Sequence, residues 1–378
     1  MNYKIRISPP HMGGEELKYI KEALATNWVA SSGRHISDFE KDLESYLGGQ
    51  RHVVAVSSGT AAIHLALILA GVQHDDEVIC QSLTFAASAF PILYQGAKPI
   101  FVDSEQDTWN LCPRVLEETI QDRLLKGKKP KAIIVVHIFG MPAKMDEIKT
   151  VSKKYDIPLI GDAAEALGSS YKGHKCGSLG DFGILSFNGN KVITTSGGGA
   201  LICKEVKQKD RAIFLATQAK DEALWYAHST VGYNYRMSNI AAGMGRGQME
   251  TLSAYIEKRR ANHLFYKNLF EPFDYIQVFS ETNAEHYANH WLTCIQFSPN
   301  KANKSAMGLL QALGRQGIES KPIWRPMHLQ PLFKGCPYYG GKVAETLFEN
   351  GLCLPSGSGL TDSDKQMISN VILEYLKT

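Results

Sequence analysis

Through the first half of the chain, short apolar runs rich in β-branched residues alternate with stretches of helical spacing. The runs occupy residues 53–56 (VVAV), 77–80 (EVIC), 99–103 (PIFVD), 132–140 (AIIVVHIFG), 157–161 (IPLIG), 182–187 (FGILSF) and 199–203 (GALIC). They are apolar at consecutive rather than alternate positions, as strands covered on both faces are. Helical patterns lie between them, the first at residues 61–71 (AAIHLALILAG). The alternation predicts an α/β fold with a mostly parallel sheet flanked by helices.

From about residue 208 to 270 the pattern becomes helical and charged, and residues 249–271 (METLSAYIEKRRANHLFYKNLFE) suit one long helix. Beyond it come a strand-like run at 290–297, helical spacing at 304–317, and a closing helix whose Thr361 and Asp364 resemble a capping box. The expected organisation is a large domain over 1–250 and a small α+β domain over 251–378 that includes the linking helix. No Pro/Gly-rich linker intervenes, so a rigid interface is expected.

Composition narrows the possible activities. With 44% hydrophobic and 21% charged residues, the 378-residue chain can bury a sizeable core as an ordinary soluble protein. Its 41 basic and 38 acidic residues nearly balance, and no basic run is interleaved with aromatics, which argues against nucleic acid as a partner. The seven cysteines form no Cys-x-x-Cys pair and sit mostly in apolar runs, as buried thiols of a reducing compartment do. No segment resembles a signal peptide or approaches the roughly 18 apolar residues that would span a bilayer. A cytoplasmic location, without membrane contact, is expected.

Three segments carry candidate chemistry. In SSGTAAIHLALILAG (57–71) a strand gives way through small residues to a helix, whose first N–H groups and dipole suit a phosphate. Ser58 and Thr60 could equally be plain helix caps. The glycine spacings of nucleoside triphosphate and dinucleotide sites are missing. In IPLIGDAAEALGS (157–169), Asp162 follows an apolar run at a strand's carboxyl end, where open α/β sheets bind ligands, although it too could cap a helix. In SFNGNKVITTSGGGALI (186–202), Lys191 stands between an apolar run and a glycine cluster. A lysine partly desolvated there loses proton affinity and can attack a carbonyl. Pyridoxal 5'-phosphate is the cofactor that needs all three parts: a phosphate cradle, a carboxylate at its ring nitrogen and an imine-forming lysine.

These segments, with TFAAS (84–88) and GYNYRMSNI (232–240), resemble the motifs of the DegT/DnrJ/EryC1/StrS family of nucleotide-sugar aminotransferases, in order along nearly the whole chain. The resemblance implies a type I aminotransferase fold with a seven-stranded sheet. It makes Lys191 the residue that bonds to the cofactor and later shuttles a proton, and Asp162 the partner of the ring nitrogen. Ala164 and Phe85 are expected against the two ring faces. The amides around Gly59, Thr60 and Ala61, with the Ser186 hydroxyl, are expected at the phosphate. Asn234 would reach a partner subunit's cofactor phosphate, which implies a homodimer with shared active sites; alone, its segment reads as a polar loop packing two tyrosines. No metal ligands are implied.

The same likeness implies amine transfer from an amino acid, by family expectation L-glutamate, to C4 of a nucleotide-linked 4-keto-6-deoxy sugar. Glu165, at a position where the family has Glu, Gln or His, points to the 4-amino group of enzymes, such as those making perosamine or bacillosamine. It could also be a solvated acid in a first helical turn. KPIWRPMHLQPLF (321–333) resembles a segment lining the sugar-nucleotide site, which makes Trp324 and His328 candidate substrate contacts; His328 could equally be a core histidine. The overall likeness leans towards a UDP-linked N-acetyl sugar. Ser31, Ser32 and Gly33 replace a turn usual in relatives, which weakens that assignment. A 3-keto aminotransferase on a dTDP- or GDP-sugar and a non-catalytic cofactor-binding sensor or assembly protein are the alternatives.

Overall fold

In the computed structural model, which describes residues 3–298 and 304–377, eight strands form the main sheet. Their spatial order is His52–Val56, Gly199–Cys203, Phe182–Ser186, Leu159–Asp162, Ala132–Val136, Glu77–Gln81, Lys98–Val102 and Tyr338–Tyr339. The last six are parallel to one another, while Gly199–Cys203 runs antiparallel to both its neighbours. The fold is the α/β architecture expected, with one strand more than seven: Tyr338–Tyr339 returns from the C-terminal part to extend the edge. Each of the seven apolar runs contains a strand. The run at 132–140 stops pairing at Val136, because a 3-10 turn follows at Ile138–Gly140, with Phe139 in the left-handed region at φ 53°. Central strands such as Ala132–Val136 are buried at every position, which is why their sequences do not alternate.

The long helix spans Asn239–Phe270, with Ser238 capping its start through the Ala241 N–H. Leu252, Tyr255 and Ile256 on it pack into the core of the main sheet, and Tyr266 and Phe270 into the core of a second, four-stranded antiparallel sheet. A boundary at 250 would therefore pass through an unbroken helix. The closing helix, Asp362–Lys377, starts where the sequence placed it. Thr361 and Asp364 exchange side chain to backbone bonds in both directions, at 2.9 and 3.1 Å. At the other end, residues 6–10 run along the junction, and the Ile7 carbonyl accepts from the Ser356 N–H.

Candidate active site

Strand register builds the site. Val56 and Ser186 both pair with Gly199, so the turn at residues 57–60 lies beside the end of Phe182–Ser186. The next strand ends in Asp162, in register with Val136 and Ile184. Above this carboxyl edge lies a cavity of about 860 Å³, lined by Gly59, Thr60, Asp162, Ala164, Ser186 and Lys191, among others.

The end beside residues 57–60 is built from main chain. Ser58 caps the helix Gly59–Leu69, its side chain accepting from the Ala61 N–H at 3.0 Å. That bond engages Ala61, whereas Gly59 and Thr60 occupy the first two helical positions, whose N–H groups have no acceptor within a helix. Gly199 packs directly beneath this turn. A Cβ there would lie 2.5 Å from the Gly59 nitrogen and closer still to the Ser58 carbonyl carbon, so no larger residue fits without moving the turn.

The other end is built from buried side chains. Asp162 Oδ2 accepts from the Ser88 hydroxyl at 2.7 Å and Oδ1 from the Ala164 N–H at 3.0 Å. Burial raises its pKa, with both donors and the charge of Lys191 opposing. Each oxygen keeps a lone pair, so a cationic N–H donor in the cavity would complete an environment that otherwise penalises the charge. Glu165 is also buried; Oε2 accepts from the Phe139 N–H at 2.7 Å, and Oε1 lies 3.4 Å from Lys191 Nζ. Burial lifts the Glu165 pKa to about 7, against the pull of Lys191. The Lys191 amine sits 4.1 Å from the centroid of the Trp291 ring, and the indole N–H donates to the Asn190 carbonyl at 2.7 Å. Lys191 lies in the loop between Phe182–Ser186 and Gly199–Cys203, and its N–H donates to Asn188. Phe85, 59% exposed, faces the cavity near Trp324, their centroids 5.6 Å apart.

Three expected residues stand apart: Ala61 is outside the lining, its N–H taken by the Ser58 side chain, and so are His328 and Asn234. His328 is outside the lining: its Nδ1 is 2.7 Å from the Ser82 hydroxyl, its ring stacks on Tyr338, and Nε2 is 3.5 Å from Glu345. It joins the edge strand to the sheet, as a packed histidine does. Asn234 is exposed and away from its own chain's cavity, while Tyr233 and Tyr235 beside it stack on each other and flank His64. The sequence reading did not single out Ser88, Trp291 or residues 6–10. Ser88 ends the quoted motif TFAAS, and the Pro9-Pro10 pair excludes a helix and favours an extended strap.

The parts fit pyridoxal 5'-phosphate: a main-chain anion seat, a buried carboxylate with free lone pairs and an amine share one cavity. Comparison with known proteins agrees. Residues 10–373 match the DegT/DnrJ/EryC1/StrS aminotransferase family. EpsN of Bacillus subtilis (strain 168) is 45% identical over 100% of this chain and 97% of its own length. GDP-perosamine synthase of Caulobacter vibrioides is 35% identical over 96% and 95%. UDP-4-amino-4,6-dideoxy-N-acetyl-beta-L-altrosamine transaminase of Campylobacter jejuni is 31% identical over 92% of each. The structure of Spr1654 from Streptococcus pneumoniae in its PMP form superposes with a TM-score of 0.88, at 26% identity and 99% coverage of both chains.

Proposed function

Because the chain belongs to the DegT/DnrJ/EryC1/StrS aminotransferase family, and is a pyridoxal-phosphate-dependent sugar aminotransferase, we propose that it aminates C4 of a nucleotide-linked 4-keto-6-deoxy sugar at this cavity. One observation carries the assignment of residues: Asp162 and Lys191, 29 positions apart in sequence, line the same cavity with the helix start at Gly59. When bound, pyridoxal 5'-phosphate would supply an aldehyde that accepts an amine and a protonated ring nitrogen that draws off developing charge.

Each residue has a task in this reading. Asp162 holds the proton on the ring nitrogen, and Ser88 and the Ala164 N–H hold Asp162 in place. Lys191 would hold the cofactor through its amine and, when that amine is free, would carry a proton at Nζ. Glu165, with a pKa of about 7 and its carboxylate 3.4 Å from Lys191 Nζ, takes up or returns a proton at that amine near neutral pH. Phe85 and Ala164 enclose the ring, while the Gly59 and Thr60 amides and the Ser186 hydroxyl receive the phosphate. Trp324 lines the mouth towards the sugar. Asn234, exposed and outside its own cavity, reaches the phosphate of a second copy in a homodimer.

L-Glutamate is the proposed donor and a UDP-linked N-acetyl sugar the first candidate acceptor, in line with the Campylobacter relative's name. The greater likeness to GDP-perosamine synthase favours a GDP-linked sugar as the second reading. The test is a panel of UDP-, GDP- and dTDP-linked keto sugars offered with glutamate, with mass spectrometry and assignment of the aminated carbon. Amination at C3 would overturn the C4 reading; amination of only GDP- or dTDP-sugars would overturn the UDP carrier. Chromatography and cofactor affinity of Asn234→Ala test the shared site: a monomer, or unchanged affinity, would remove it.

A further inference from the structure

Arg259, midway along the helix Asn239–Phe270, is 1% exposed. Among the described residues no carboxylate pairs with it, and its Nε–H, also buried, meets no acceptor. Burial alone lowers its pKa, to about 10. An uncompensated buried cation is costly, so what it holds is informative. Nη1 donates to the Trp291 carbonyl at 2.7 Å and more weakly to the Ser356 carbonyl at 3.3 Å. Nη2 donates to the Ser8 hydroxyl at 3.1 Å, and that hydroxyl donates onward to the Asn190 carbonyl at 2.7 Å. The Trp291 indole N–H donates to the same Asn190 carbonyl. The guanidinium thus grips both the tryptophan beneath the Lys191 amine and, through Ser8, the residue that precedes Lys191.

We propose that Arg259 is a positioning residue for Lys191: its planar fork fixes the Trp291 main chain and, through Ser8, the Asn190 carbonyl, so that the amine at 191 is held on one line of attack. This rests on the reading of Lys191 as the residue that bonds to the cofactor. A guanidinium suits the task because its donors diverge in a fixed plane, serving two acceptors that a single ammonium would have to share. Charge-assisted bonds to neutral acceptors are also strong enough to hold a loop that lacks regular secondary structure.

The experiment adds pyridoxal 5'-phosphate to cofactor-free protein and follows capture by Lys191 through absorbance and borohydride fixation, alongside kcat, KM and melting temperature. Wild-type protein that fails to fix cofactor at Lys191 would remove the underlying reading; wild-type capture with unaffected variants would remove only this inference. Arg259→Met is expected to slow capture and lower kcat by about tenfold or more, with KM for the sugar nearly unchanged, because the amine's aim is lost. Added guanidinium, or Arg259→Lys, should restore part of the rate. Asn262→Ala is the control for lost stability: it removes bonds to the Ser356 and Gly357 carbonyls but touches neither Trp291 nor Asn190. It should lower the melting temperature while leaving capture and kcat within about twofold. Should Arg259→Met not fold, Ser8→Ala removes the guanidinium's link to the Asn190 carbonyl and Trp291→Phe removes the indole's bond to the same carbonyl, and each should slow capture by about threefold. Rates that follow melting temperature alike in all variants, or that are unchanged in a folded Arg259→Met, would overturn the proposal.

Discussion

The two ends of the cavity solve the same problem, holding a charged ligand out of water, by opposite means. The end at residues 57–60 relies on main chain, with N–H groups at a helix start and a turn pressed against Gly199. The end at Asp162, Glu165 and Lys191 relies on ionisable side chains taken out of water, the two acids braced by specific donors and the amine by Glu165. The first should tolerate changes of side chain but not added bulk beneath the backbone. The second should tolerate almost no change of functional group.

The sharpest division between the ends comes from Lys191→Ala. Turnover should fall by about 10⁴-fold, with no cofactor fixed by borohydride and an unaltered circular dichroism spectrum. Appreciable amine transfer by this variant would contradict the assignment of the side-chain end. Asp162→Asn should follow, with a loss of about 10³-fold in kcat because the charge at the ring nitrogen is gone. Its melting temperature should hold or rise, since burial already disfavours the native carboxylate. Gly199→Ala tests the main-chain end: its Cβ forces the turn to shift, so cofactor affinity should weaken by about tenfold or more, measured by fluorescence titration. Ser58→Ala removes only the cap on Ala61, which costs about 1 kcal/mol, so its affinity change should be several-fold smaller. If the serine mattered more than the glycine, the division between the ends would fail.

The smallest effect is a pH dependence confined to the side-chain end. Burial raises the Glu165 pKa from its ordinary 4.5 to about 7, so between those values the unfolded chain has released a proton that the folded chain retains. Stability contributed by this group is therefore full below pH 4.5 and falls as pH rises towards 7. In cofactor-free protein, Glu165→Gln should flatten the decline in melting temperature over that window by about 3 °C. Unchanged slopes would show that the carboxyl titrates normally.

Legibility in the sequence follows the same division. Strands buried on both faces were readable because burial leaves a continuous apolar run; their ends fell within two residues, except that the run at 132–140 overshot Val136 by four, where the chain turns. Tyr338–Tyr339 was not, since a two-residue edge strand takes its conformation from the strand it joins rather than from its own pattern. Asp162 and Lys191 were readable from their unusual settings. Ser88, Trp291 and Arg259 were not: each acts through a contact 74, 100 or 32 positions from its own, and a single chain gives no local signal for such pairings. His328 looked like a ligand contact by its neighbours in sequence, but the space beside it is filled by Tyr338.

The helix Asn239–Phe270 is about 48 Å of unbroken rod at 1.5 Å per residue. Since its two halves are rooted in different cores, swinging one core away from the other would require the rod to bend. A structure braced in this way resists opening like a jaw between its two cores.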